Sequence, residues 1–140
     1  MTHIVVIGAG SWGSAIASAL IRAKHQNNKT RQITVLARRQ ESVNALAVGR
    51  CLHLPEAQSV MPISATIDPT CLDGADLVFV ATPVAANQAS FLMIHEQQNE
   101  QQNHRLATIV LCAKGISKAD DGSAILLTEL AANLLRITQL

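Results

Sequence analysis

The stretch HIVVIGAGSWGSAIA, residues 3–17, restricts this chain more than any other. Four β-branched residues run into glycines at positions 8, 10 and 13, and alanines follow. A short β-branched run stopped by glycine reads as a buried strand, and Ala15, Ala19 with Ile16, Leu20 carry helical spacing. G-x-G-x-x-G between a strand and a helix has a physical logic. Gly8 permits a tight turn, Gly10 lets a pyrophosphate approach the backbone, and Gly13 lets helix and strand pack closely. The helix then points its free N–H groups and positive dipole end at the phosphates. The alternative is a strand-to-helix turn that holds no ligand.

The rest of the chain repeats the alternation. ITVLA (33–37), DLVFVA (76–81) and ATIVLC (107–112) are further short apolar runs, and ISATID (63–68) is a weaker one. Asp68 before Pro69 looks like the cap of a short helix, and Pro83 fits the first turn of another. Leu127, Leu130, Ala131, Leu134 and Ile137 form an apolar stripe at helical spacing. The polar runs HQNNKTRQ (25–32) and EQQNEQQNHR (96–105) read as loops or frayed helix ends, and ISKADDG (116–122) as an exposed loop. Strands alternating with helices predict an α/β fold of Rossmann type: a doubly wound, mainly parallel sheet with helices on both faces. With only 2% aromatic residues, the core must be built from Ala, Val, Ile and Leu, the usual filling of parallel sheets.

At 140 residues the chain is expected to be one dinucleotide-binding domain, 1–140, with no linker dividing it. A net charge of +1 and 15% charged residues argue against a nucleic-acid binder. No apolar stretch is long enough to span a membrane, and the N-terminus lacks the basic and apolar regions of a signal peptide. A cytoplasmic location is expected. Cys51, Cys71 and Cys112 show neither C-x-x-C spacing nor a nearby histidine pair, so reduced thiols and no metal site are expected.

The end of the second strand bears on which dinucleotide binds. NAD binders carry an acidic residue there for the ribose hydroxyls. This chain has Arg38 and Arg39, with no carboxylate before Glu41. One charge-assisted hydrogen bond to a 2′-phosphate is worth roughly 1.5–3 kcal/mol, so NADP(H) is the preferred cofactor and NAD(H) the second choice. Two solvated arginines at a strand end, or an Arg stacked on adenine, are the alternatives. Lys114, in CAKGI (112–116), follows a buried strand at the carboxyl end where open α/β sheets bind ligands, and Gly115 would let the chain turn at once. There it would hold an anionic substrate or the cofactor; otherwise it is a surface lysine.

Four separated elements resemble the N-terminal domain of bacterial-type NAD(P)-dependent glycerol-3-phosphate dehydrogenases: GAGSWG (8–13), HLP (53–55), GADLVFVATP (74–83) and AKG (113–115). The resemblance covers essentially the whole chain and rests mainly on GAGSWG with AKG. It implies that Ser11 donates to phosphate, that Trp12 walls the cofactor site, and that Arg38 contacts the adenosine phosphate. Pro83 and Lys114 join the cofactor-binding set, and Lys114 with Gly115 also the site of a small phosphorylated substrate. For Trp12, a core-packing ring is the alternative.

The implied parent reaction is reversible reduction of dihydroxyacetone phosphate to sn-glycerol 3-phosphate, which feeds phospholipid synthesis. The family's catalytic lysine lies in a helical second domain that this chain lacks, so no catalytic residue is expected here and the isolated chain should be inactive. The full-length parent is compatible with a homo-oligomer. This sequence departs from the family at His53, where Tyr or Phe is usual, and at Val84 in place of a common Ser. It departs again in the longer EQQNEQQNHR run and in ISKADDG. Two other readings are another NADPH-dependent reductase of the superfamily, ketopantoate-reductase-like, and a dinucleotide-sensing module like those that gate potassium channels.

Overall fold

The computed structural model describes residues 1–27, 30–56, 61–99 and 107–135. Strands β1 (Thr2–Ile7), β2 (Arg31–Leu36), β3 (Ala65–Thr66), β4 (Leu77–Val80) and β5 (Thr108–Leu111) form one sheet in the order β3-β2-β1-β4-β5. Every pairing in it is parallel. The expected doubly wound sheet is the one observed. β3 keeps only two residues of the ISATID run, because Ile63 turns into the core and its N–H goes to the Leu46 carbonyl instead of the sheet.

The helices are α1 (Ser11–Asn27), α2 (Gln40–Ala47), α3 (Val84–Asn99) and α4 (Leu127–Leu135). β1 shows why both faces of the sheet must be covered. Successive side chains of a strand point to opposite faces, and all four of Ile4, Val5, Val6 and Ile7 are buried. Ile4 and Val6 pack with Ile33 and Val35 against Ala17 and Ile21 of α1 and Leu46 of α2. Val5 and Ile7 pack with Val78 and Val80 against Phe91 and Ile94 of α3 and the buried stripe of α4.

Asp68 caps a short 3-10 helix over Pro69–Leu72 as expected, its Oδ1 accepting from the Thr70 N–H at 3.0 Å. α1 and α3 run to Asn27 and Asn99, into polar runs expected as loops or frayed ends. The rest of that expectation, with Ile137, falls partly outside the described residues. ISKADDG is not a loop. β6 (Ile116–Lys118) and β7 (Ala124–Leu126) make an antiparallel hairpin, whose turn is held by Asp121 Oδ1 accepting from the Ser123 N–H at 2.9 Å and from its hydroxyl. Among the described residues no helix is long and apolar enough to cross a membrane.

Candidate functional site: a crevice at the carboxyl ends of β1 and β4

The chain lays β2 and β3 on one side of β1 and then returns to lay β4 and β5 on the other. At that reversal the loops leaving β1 and β4 part, which opens a crevice over the carboxyl ends of the strands. A cleft of about 380 Å³ lies there, lined by Gly10, Ser11, Trp12, Ala81, Thr82, Pro83, Cys112 and Ala113.

Gly8 and Gly13 play the packing parts that the spacing predicts. Gly8 sits at φ +110°, a conformation side chains rarely adopt, and a Cβ there would come within 3.0 Å of the Ala81 carbonyl oxygen. A Cβ on Gly13 would run into the carbonyl of Gly8, so α1 can lie this close to β1 only without a side chain. Gly10 differs: a Cβ there would meet nothing within 4 Å. Two glycines are thus required by the protein's own packing, while the third keeps open a space that the protein does not fill. That cradle fits a pyrophosphate.

α1 starts at Ser11, and Ser14 N–H donates to the Gly10 carbonyl at 2.9 Å. The N–H groups before it lack acceptors within the helix. The first turn of α1 carries no acidic residue, so its positive end is free to meet an anion. Buried Ser14 locks the start, its hydroxyl donating to the Ala9 carbonyl at 3.3 Å.

Trp12 is 62% exposed and lines the cleft, which rules out the core-packing alternative. Ser11 Oγ donates to the backbone carbonyl of His53 at 3.1 Å. The Ser11 hydroxyl proton is therefore engaged by the HLP segment, and its backbone N–H is the donor left for an anion. That bond brings His53 to the glycine turn, a contact between residues far apart in sequence that spacing alone could not reveal.

Arg38 and Arg39 are exposed at the carboxyl end of β2, the edge next to the glycine turn, where the Gly8 N–H donates to the Leu36 carbonyl at 2.9 Å. They do not line the cleft. Arg39 occupies the N-cap position of α2 in an extended conformation and gives the helix no side-chain cap. Pro83 lines the cleft and immediately precedes α3. Lys114 and Gly115 are exposed just beyond Ala113 and outside the lining.

Ala81, Thr82, Cys112 and Ala113 were not singled out in the sequence. Their signal was available: they are the first residues past β4 and β5, where ligands of such sheets bind. The Cys112 thiol is pushed up by burial. The Cys71 thiol is pushed up to about 11, by burial first and then by the Asp68 carboxylate.

Residues 3–139 match the family model described as the N-terminus of NAD-dependent glycerol-3-phosphate dehydrogenase. The chain is 33% identical over 137 residues to an NAD(P)+ glycerol-3-phosphate dehydrogenase of Nocardia farcinica, covering 96% of this chain and 38% of that protein. It is 31% identical over 125 residues to the Mesorhizobium japonicum enzyme of the same name, covering 88% of this chain and 33% of that one. The chain thus spans little more than a third of the length of these curated relatives. Its fold also matches a solved Plasmodium falciparum glycerol-3-phosphate dehydrogenase, with a TM-score of 0.76 and 20% identity over 97% of this chain and 38% of that one. A glycine cradle at the reversal of a parallel sheet, and a family match over nearly every residue, lead to one conclusion: this chain belongs to the family of NAD-dependent glycerol-3-phosphate dehydrogenase N-terminal domains.

Proposed function

We propose that this chain is the cofactor-binding domain of an oxidoreductase that interconverts dihydroxyacetone phosphate and sn-glycerol 3-phosphate, with NADP(H) preferred over NAD(H). The observation that carries the reading is the empty reach above Gly10, flanked by two glycines that the fold itself requires. The dinucleotide supplies or accepts the hydride; this chain's residues bind and orient it. The N–H groups at the start of α1 hold the pyrophosphate, Gly10 admits it, and Trp12 and Pro83 wall the cleft. Arg38 and Arg39 meet the adenosine end, where an extended N-cap leaves the first N–H groups of α2 without a side-chain acceptor. Lys114 and Gly115, next to Ala113 of the cleft, take the phosphorylated substrate.

On this reading the catalytic lysine and most substrate contacts are supplied by a helical domain, as the family resemblance implies. A domain that only binds the dinucleotide would by itself carry no turnover. The test is titration of the protein with NADPH and with NADH, followed through Trp12, its only tryptophan. Tighter binding of NADPH by tenfold or more, abolished as a preference in Arg38→Ala, is the expected result. Equal affinities would refute the 2′-phosphate contact, and binding of neither would refute the cofactor site.

A further inference from the structure

The wall of the cleft formed by the turn between β4 and α3 contains a polar cluster that the roles above do not use. Thr82 Oγ1 donates to Asn87 Oδ1 at 3.1 Å and lies 3.2 Å from Ser90 Oγ, while Ser90 Oγ donates to the Ala86 carbonyl at 3.0 Å. Asn87 is 1% exposed and Ser90 4%. Asn87 Nδ2 has no partner among the described residues, and a buried amide N–H left unpaired is costly.

The protons decide the arrangement. Ser90 spends its one proton on Ala86, so the contact between Thr82 and Ser90 needs the proton of Thr82, which is then lost to Asn87. A half-turn of the Asn87 amide, which exchanges two atoms of nearly equal size, resolves this. Its nitrogen then donates to Thr82, Thr82 donates to Ser90, and Ser90 donates to Ala86. All three contacts carry a proton, and the chain of donors runs in one direction into α3.

The cluster fixes which way Thr82 faces. With its hydroxyl held against α3, its methyl Cγ2 lies toward the glycine turn, 3.4 Å from where a Cβ on Gly8 would stand. A staggered jump of χ1 would put the hydroxyl where the methyl stands and the methyl where Hβ stands. The hydroxyl would then come against the glycine turn, and the apolar wall there would become polar.

We propose that Asn87 is a positioning residue for the dinucleotide site: its buried amide clamps the Thr82 hydroxyl to α3, so that the cleft wall beside the glycine turn is a methyl group. The proposal rests on the reading of this cleft as the dinucleotide site. Its test is NADPH titration of Asn87→Leu, which keeps the branched shape and removes the polar atoms, and of the double variant Asn87→Leu with Thr82→Val. Asn87→Leu is expected to raise the NADPH Kd about tenfold while remaining folded by thermal melting. The double variant, which has no hydroxyl to turn into the cleft, is expected to recover most of that loss.

A folded Asn87→Leu protein that binds as tightly as the wild type would overturn the proposal. So would a double variant that stays as weak as the single one, since a merely structural role gives no such rescue. Wild-type protein that binds no dinucleotide would overturn the underlying reading as well. If Asn87→Leu fails to fold, three-bond couplings of Thr82 in the wild-type protein decide the matter. One fixed χ1 with the methyl toward Gly8 is expected, and averaging between rotamers would refute the clamp.

Discussion

Alanine at Gly13 and alanine at Gly10 are the same chemical change three residues apart, and the structure predicts opposite outcomes for them. At Gly13 the added Cβ meets the Gly8 carbonyl group, its carbon at 2.9 Å, with Ala81 Cβ behind at 3.5 Å. The obstacle is backbone, and it cannot retreat. Gly8 is tied to β2 by its N–H bond to Leu36, and its own φ of +110° leaves little latitude. α1 must lift from β1, at the expense of Ala17 and Ile21 in the core beneath it. Overpacking of this kind costs typically 1–3 kcal/mol, and with a rigid backbone neighbour we expect about 3 kcal/mol. For a chain of this size that is a fall in Tm of about 10 °C. At Gly10 the Cβ meets no protein atom within 4 Å and the backbone is not left-handed. Stability should hold or rise by about 0.5 kcal/mol as the unfolded chain loses freedom. On the proposed reading the same methyl stands where the pyrophosphate lies, and NADPH binding should weaken at least tenfold, or about 1.4 kcal/mol. Urea unfolding and NADPH titration of both variants measure the four quantities. Gly10→Ala with wild-type affinity would show that no phosphate approaches there, and Gly13→Ala with wild-type stability would show that the strand and helix are not held as described.

Cys112 lines the cleft and Cys71 does not, so saturating NADPH should slow alkylation of Cys112 in the native protein and leave the rate at Cys71 unchanged, as read by mass spectrometry. Equal rates with and without nucleotide would put the ligand elsewhere. Phe91 is fully buried between the sheet and α4, and Phe91→Ala should cost about 3–5 kcal/mol in urea unfolding; a loss under about 1 kcal/mol would contradict its place in the core. Asp68 has its carboxyl held below its ordinary value by hydrogen bonds from Thr70. A depressed folded pKa adds stability that is fully present above the unfolded value and is lost as pH falls through the folded one. Asp68→Asn still caps but does not titrate, so its Tm should match wild type at neutral pH and fall less steeply in acid; parallel acid limbs would argue against the bond.

The parallel sheet was legible because buried β-branched runs leave a dense local signal. IVVIG, ITVLA, DLVFVA and ATIVLC each match a strand to within about two residues at either end. The hairpin was missed although its marks were present, Asp-Gly between two short runs in ISKADDGSAIL, because three-residue strands offer almost no alternation to count. Half-exposed strands of that length are defined by their partner, which a sequence read in order does not display. The polar ends of α1 and α3 were read as loops or frays for a related reason. Asn and Gln carry no apolar period, yet a helix already docked by Ile21 or Ile94 can continue outward at little cost.

The candidate site divides along the same physical line. Gly8 and Gly13 were readable because each answers a backbone requirement that no other residue type meets, and Gly10 because it completes their spacing; residue type is what a sequence records. Thr82 and Asn87 were invisible because threonine and asparagine at a helix start are ordinary caps. Only the distances of 3.1 and 3.2 Å around one hydroxyl, with one proton to share between them, turn them into a directed cluster beneath the cleft. Such a cluster sets the rotamer of a wall residue without touching the ligand. An affinity change at Asn87 that Thr82→Val reverses would therefore locate part of the dinucleotide's binding energy in a residue that contacts no dinucleotide.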